Sequence, residues 1–191
     1  MRLFVALDFP DAVRQTLREL IARLQPGFGS AKWVRPEAMH ITLKFIGEVD
    51  GEKLAPIRGA LAPVHSSAPV EIHFRGLGFF PNERRPRVLW CGVEASTNLA
   101  ELAEAVQRAL VPLGIPAESR DFVPHLTLAR FNSDYAPRKD LETLVRAAGE
   151  LKSYDFGRTR ETEFHLIESI LKPAGAEYRR LETFPIVKGS A

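Results

Sequence analysis

Apolar positions along the chain alternate between continuous strand-like runs and helix-like spacing. The compact run at residues 3–9 predicts a buried strand, and Pro10 and Asp11 then open a helix. One face of that helix is apolar and consists of Val13, Leu17, Leu20, Ile21 and Leu24. The pattern continues with strands expected at 32–35, 40–47 and 69–79, and with a helix on Leu54, Ile57, Leu61 and Val64.

The same order of elements then restarts. A strand is expected at 87–94 and another at 125–131, with a helix between them whose apolar face is Leu99, Leu102, Val106 and Leu110. A short helix on Leu141, Leu144 and Val145 follows. The final apolar segments, 159–171 and 178–187, predict a closing hairpin across Pro173 and Gly175.

This restart has a constant offset. The segment RLF at 2–4 aligns with RVL at 87–89, and HITL at 40–43 aligns with HLTL at 125–128, both 85 residues apart. A period this long that occurs twice indicates a duplicated strand–helix–strand–helix unit, because solenoid repeats are shorter and more numerous. Only a turn separates the copies, so we expect one domain over residues 1–191, made of two interleaved α+β lobes related by a pseudo-two-fold axis.

The repeated His-x-Thr-Leu motif carries the chemistry. Side chains alternate along a strand, so His40 shares a face with Thr42, and His125 shares one with Thr127. A pseudo-two-fold axis would bring both pairs to one cleft, which suits a phosphate because hydroxyls donate to its oxygens and imidazoles transfer protons. Displacement at phosphorus needs a base and an acid on opposite sides. Neither motif has an adjacent carboxylate, so we expect no metal.

Composition adds little to this hypothesis. The chain has 26 Lys+Arg against 24 Asp+Glu, a net charge of +2 that does not by itself indicate nucleic acid. The cluster Arg84, Arg85 and Arg87 is, on charge alone, typical of a solvated loop. A single cysteine excludes an intramolecular disulfide, and the apolar runs are too short for a membrane span. We therefore expect a cytoplasmic protein.

The motifs HITLKF at 40–45 and HLTLAR at 125–130 resemble the paired motifs of the 2H phosphoesterases. More narrowly, they are similar to those of the LigT-like RNA 2′,3′-cyclic phosphodiesterases, also known as the 2′-5′ RNA ligase family. The resemblance extends over nearly the whole chain, through RLFVA at 2–6, GLGFFP at 76–81, PRVLW at 86–90 and the segment 169–178.

This resemblance implies an α+β bilobal fold in which two antiparallel sheets line a central cleft, with helices outside. It also implies hydrolysis of an RNA 2′,3′-cyclic phosphate to a 2′-phosphate and a 3′-hydroxyl, without a cofactor. By analogy with the family, His40 is the proton donor, His125 is the proton acceptor, and Thr42 and Thr127 bind the phosphate. From the residues alone, the donor and acceptor roles could be exchanged.

Other residues near the motifs have two interpretations each. Strict alternation places Arg130 on the face opposite His125, so it contacts substrate only if the strand bulges or ends there; otherwise it forms a salt bridge at the rim. Phe45, at the corresponding place in the first copy, is expected in the core. Trp33, Phe79 and Phe80 could stack on RNA bases, although packing is the more common role of such aromatics.

Three functions are compatible with these residues. The first is hydrolysis of cyclic phosphate ends, and the second is ATP-independent 2′-5′ RNA ligation at the same site. The third is a non-catalytic RNA-end binding module, which would not need two titratable groups. In each case the partner is RNA with 2′,3′-cyclic phosphate ends, tRNA fragments among the candidates. We expect a monomer with no protein partner and no membrane association.

Overall fold

The computed structural model describes residues 1–28, 31–131, 137–172 and 175–187. Within these ranges the chain forms nine strands and four α-helices. In chain order they are β1 (Arg2–Leu7), α1 (Asp11–Leu24), β2 (Lys32–Trp33), β3 (Ile41–Glu48), α2 (Leu54–Leu61), β4 (Val70–Phe80), β5 (Val88–Ala95), α3 (Asn98–Leu110), β6 (His125–Arg130), α4 (Arg138–Glu150), β7 (Asp155–Glu161), β8 (Glu163–Lys172) and β9 (Gly175–Pro185). A search of the described helices found no segment long and apolar enough to cross a membrane.

The strands form two antiparallel sheets. The first has the order β3-β1-β8-β9 and the second has the order β2-β6-β5-β4-β7. The two halves of the chain are mixed between them, since β2 pairs with β6 through Trp33 opposite Ala129. The prediction of an α+β fold with two antiparallel sheets is confirmed.

The helices pack on the sheets through their apolar faces. Helix α1 lies against β7 of the second sheet, α3 lies against β3 of the first sheet and against α2, and α4 lies against β4. On the motif strands, the apolar partners predicted by alternation are buried, since Ile41, Leu43, Leu126 and Leu128 are at most 3% exposed. Burial of each such side chain contributes about 1.5–3 kcal/mol. These anchors hold β3 and β6 so that their polar residues face away from the core.

The C-terminal segment differs from the prediction in one respect. The single strand expected over 159–171 is wrong, because β7 ends at Glu161 and pairs with β4, whereas β8 begins at Glu163 and pairs with β1 and β9. The chain changes sheets at Thr162, whose carbonyl accepts a hydrogen bond from the backbone N–H of Ile186 at 2.7 Å. The predicted hairpin is confirmed as β8–β9, and Pro173 lies outside the described residues.

Candidate active site

The two motif histidines are held by equivalent backbone carbonyls. Nδ1 of His40 lies 3.0 Å from the carbonyl oxygen of Ala38, and Nδ1 of His125 lies 2.9 Å from that of Val123. A carbonyl can only accept, so in both rings Nδ1 carries the hydrogen and donates. In the neutral form of each ring, Nε2 is therefore the nitrogen that can exchange a proton with a substrate.

Both histidine–threonine pairs line one cavity. Its volume is about 420 Å³, and its walls come from both sheets. His40 and Thr42 belong to the side of β3, and His125 and Thr127 belong to β6. The structure thus brings together four polar side chains that are far apart in sequence, in the arrangement that two-fold repetition of the motif predicts.

Arg130 reaches the same cavity because its strand bulges. Trp90 pairs with Thr127 and Leu89 pairs with Ala129, which leaves Leu128 without a partner on β5. An inserted residue of this kind reverses the alternation beyond it. The side chain of Arg130 therefore returns to the face of Thr127 and lines the cavity.

Strand β3 carries a bulge at the equivalent place. Ala6 pairs with Thr42 and Val5 pairs with Lys44, so Leu43 is skipped as Leu128 is in β6. The expectation that Phe45 lies in the core is wrong, because this bulge turns its side chain into the cavity and leaves it 55% exposed. The two repeats therefore offer different groups at equivalent positions, an aromatic ring and a guanidinium.

Aromatic rings contact both imidazoles. The ring of Tyr178, on β9, meets that of His40 edge-on with centroids 5.1 Å apart, and Phe4 lies 4.5 Å from His40. Phe80 meets His125 edge-on at 4.9 Å. These contacts restrict the orientation of the imidazoles. Tyr178 also lines the cavity, and the motif analysis did not identify it because β9 is distant in sequence.

The other two aromatic candidates have packing contacts. Phe79 is 6% exposed and belongs to the core. The indole of Trp33 donates from Nε1 to the carbonyl of Phe28 at 3.3 Å. Neither residue lines the cavity that contains the histidines, so the packing interpretation accounts for both.

Burial governs the ionisation of the histidines. Loss of hydration lowers the pKa of His40 to about 4, although its hydrogen bond to the Ala38 carbonyl acts in the opposite direction. Burial also lowers the pKa of His125, and the positive charge of Arg130 lowers it further. Both rings are therefore neutral near pH 7 in the empty cavity, with Arg130 as its cation.

A buried arginine supports the turn that precedes His40. Arg14, on α1, is 8% exposed and donates from Nη1 to the carbonyls of Met39, at 3.2 Å, and of Pro36. It also pairs with Asp8, at the end of β1. This network holds the backbone around Ala38, whose carbonyl in turn fixes the His40 ring.

A search of the described residues found no group of three or more His, Cys, Asp or Glu side chains placed to hold a metal ion. The polar groups of the cavity are instead two imidazoles, two hydroxyls and a guanidinium. Two neutral bases with unprotonated Nε2 atoms, beside hydroxyl donors and a fixed cation, can bind a phosphodiester and transfer protons on opposite sides of it.

This combination of fold and cavity defines a two-histidine phosphoesterase. The chain belongs to the family described as LigT like Phosphoesterase, whose model matches residues 7–90 and 92–178. The two matched segments begin 85 residues apart, which is the offset of the internal repeat.

Characterised relatives are similar over almost their whole length. A protein of Archaeoglobus fulgidus named RNA 2′,3′-cyclic phosphodiesterase is 40% identical over 186 residues, which cover 96% of this chain and 99% of the relative. One of Methanothermobacter thermautotrophicus with the same name is 36% identical over 185 residues, 96% of this chain and 98% of the relative. A crystal structure from Thermus thermophilus matches with a TM-score of 0.80 and 34% identity, covering 97% and 98% of the two chains.

Proposed function

We propose that this protein hydrolyses 2′,3′-cyclic phosphate ends of RNA, leaving a 2′-phosphate and a 3′-hydroxyl. The observation that carries the proposal is the single cavity into which two equivalent strands bring one imidazole and one hydroxyl each. The names of the relatives that are 36–40% identical over nearly the whole chain support the same activity.

In the reaction, the two Nε2 atoms act on opposite sides of phosphorus. His125 takes a proton from water as the water oxygen forms its bond to phosphorus. The bond from phosphorus to the 3′ oxygen breaks, and His40 gives that oxygen a proton. This assignment of acceptor and donor follows the family resemblance. The geometry supports the use of Nε2 in both rings, because the carbonyls of Ala38 and Val123 occupy Nδ1.

The remaining polar groups bind the phosphate. The hydroxyls of Thr42 and Thr127 donate to its non-bridging oxygens, and Arg130 supplies a charge opposite to that of the phosphodiester. Negative charge accumulates on those oxygens as phosphorus becomes five-coordinate. Donors that are already fixed in place stabilise this state without reorganising.

Replacement of Arg130 by glutamine is expected to lower kcat/KM about 10- to 100-fold, because a hydrogen bond to a charged group contributes about 1.5–3 kcal/mol. Arg130→Lys should recover part of the loss, since it restores the charge without the planar fork. Arg108→Gln, on exposed helix α3, is the matched control. Equal kcat/KM in Arg130→Gln and Arg108→Gln would contradict a role for Arg130 in phosphate binding.

The activity is tested with an oligoribonucleotide that ends in a 2′,3′-cyclic phosphate, incubated with the protein in EDTA. The product is compared chromatographically with synthetic 2′-phosphate and 3′-phosphate standards. We expect the 2′-phosphate. A 3′-phosphate would contradict the proposed bond cleavage and reverse the two histidine roles. Absence of turnover would contradict the function, and exclusive joining to added 5′-hydroxyl RNA would favour the ligase.

The proposed site is complete within one chain, because both histidine–threonine pairs and Arg130 come from the same polypeptide. This supports the proposal that the protein acts as a monomer. RNA cleavage products with cyclic phosphate ends, tRNA fragments among them, are then the proposed substrates, and the cytoplasm is the proposed compartment. Gel filtration with light scattering tests the monomer, and a stable dimer would contradict it.

A further inference from the structure

The cavity-facing surface of the second sheet continues beyond the histidines. Residues directly opposite each other on antiparallel neighbours lie on the same face. Thr127 of β6 stands opposite Trp90 of β5, and Trp90 stands opposite Gly78 of β4. A strip therefore runs from the second motif across β5 to β4, and its central side chain is an indole.

Glycine at position 78 makes room for that indole. A Cβ atom added to Gly78 would lie only 2.2 Å from the Trp90 ring, so the ring covers the backbone of β4 where a side chain would otherwise stand. Trp90 is partly exposed, and its Nε1 has no hydrogen-bond partner among the residues that the structure describes. Within that part of the chain, no polar contact of the fold accounts for the indole at this position.

The strip is part of a groove that joins the catalytic cavity. Two adjoining depressions, of about 390 and 600 Å³, share Trp90, Leu77 and Lys152. One also includes His125, which lines the catalytic cavity, and the other includes Arg84. We call this surface the Trp90 groove. It is formed by Leu77, Gly78, Phe80, Arg84, Trp90 and Lys152.

Phe80 makes the groove continuous with the site. Its ring meets His125 edge-on at 4.9 Å and lies 5.3 Å from the Trp90 ring. A planar group that entered beside Trp90 would therefore have aromatic surface as far as the imidazole. Base stacking on such rings is the main sequence-independent contact of single-stranded RNA.

A second glycine positions the cation of the groove. Gly76 has φ +70°, and a Cβ there would lie 2.3 Å from the carbonyl oxygen of Lys152. The Gly76 N–H donates to the carbonyl of Tyr154 at 2.9 Å. The turn after α4 can approach β4 this closely only because residue 76 is glycine, and the approach places Lys152 on the groove.

The charges around the two depressions are mixed, with an excess of cations. The basic residues are Arg75, Arg84 and Lys152, and the acidic ones are Glu83 and Glu94. Glu94 is already engaged, since its carboxylate lies 3.3 Å from Nδ1 of His73. A polyanion that follows the groove away from His125 therefore meets net positive charge.

The first sheet lacks an equivalent surface at the corresponding place. Ala6 stands opposite Thr42 where Trp90 stands opposite Thr127, and Ala6 is completely buried. The two repeats thus agree in the residues that carry the proposed chemistry and differ in what flanks them. This asymmetry gives the site one side on which a longer ligand can extend.

We propose that the Trp90 groove binds the nucleotide that precedes the cyclic phosphate in the RNA chain. A ribose that carries a 2′,3′-cyclic phosphate continues only through its 5′ oxygen, so one neighbouring nucleotide must leave the cavity. Its base stacks on Trp90 and Phe80, and its phosphate lies near Lys152 and Arg84. The inference rests on the proposed function and makes an RNA end of two or more nucleotides the preferred substrate over a free nucleoside cyclic phosphate.

The test compares kcat/KM for a nucleoside 2′,3′-cyclic phosphate with that for a tetranucleotide that ends in the same group. Trp90→Leu should lower the value for the tetranucleotide about 5- to 100-fold, since stacking contributes about 1–3 kcal/mol per base. The value for the mononucleotide should change by less than about 3-fold. Trp90→Phe, which keeps an aromatic ring, should recover much of the loss.

The cations are tested by salt dependence. Arg84→Ala with Lys152→Ala should flatten the plot of log kcat/KM against log salt for the tetranucleotide by about 0.7 per lost phosphate contact. The mononucleotide, which has no further backbone phosphate, should show the same dependence as before. Lys53→Ala, exposed after β3, is the control and should leave both substrates unchanged.

Binding can be measured without turnover. The chain has two tryptophans, so a Trp33→Phe, His40→Ala, His125→Ala variant reports on Trp90 alone. The tetranucleotide should quench its fluorescence and the mononucleotide should not. Hydrolysis of neither substrate by the unaltered protein would contradict the proposed function. Hydrolysis of both, with Trp90→Leu affecting them equally or not at all, would overturn the groove alone.

Discussion

Replacement of either His40 or His125 by alanine is expected to lower kcat for cyclic phosphate hydrolysis by about 10²–10⁴, the usual contribution of one positioned acid or base. Each ring has only Nε2 available, because Nδ1 donates to a carbonyl. The double variant should lose less than the product of the two single losses, because the histidines act as a unit. Steady-state rates of the three variants test both statements.

His65 provides a matched control for these substitutions. Its Nδ1 donates to the carbonyl of Pro63 at 2.8 Å, which is the same local geometry, two residues back, as in the motif histidines. His65 is exposed and does not line the catalytic cavity. His65→Ala should retain full activity. If His40→Ala and His125→Ala also retained most of theirs, acid–base catalysis by this pair would be disproved.

The second large effect is on pH dependence. Both kcat and kcat/KM should follow bell-shaped curves that fall about tenfold per pH unit beyond their limbs. The base acts as neutral imidazole, and burial lowers its pKa, so the acid limb should lie below pH 6.5. The acid acts as imidazolium, and a bound phosphodiester anion raises its pKa. The alkaline limb of kcat should therefore lie at higher pH than that of kcat/KM.

These limbs are measured from full rate curves between pH 4 and 10, with EDTA present. The apparent pKa values belong to the coupled pair and not to one residue. Because Arg130 lowers the pKa of both His40 and His125, Arg130→Gln should move the acid limb to higher pH. Coincident alkaline limbs for kcat and kcat/KM, or a rate that keeps rising past pH 9, would contradict this assignment.

The sequence alone was enough for the motif pairs and the fold class. Alternation along a strand is local, so His40 with Thr42 and His125 with Thr127 share a face whatever the strand pairs with. The buried Ile41 and Leu126 show that the apolar half of the same pattern predicts the core correctly. The constant offset of 85 residues then indicated two equivalent units, and the two segments matched by the family model begin at the same spacing.

Only the tertiary structure decided which other residues join the site. Arg130 and Phe45 face the cavity because Leu128 and Leu43 are skipped in the pairing with the neighbouring strand, and a period of two contains no information about that partner.

The same limit applies to longer-range effects. Tyr178 reaches His40 because β9 completes the first sheet, and residues 159–171 divide between two sheets although both parts read as strand. The lowered histidine pKa values come from burial between the sheets. Local pattern determines which side chains share a face, whereas register, sheet assignment and desolvation depend on what packs against that face.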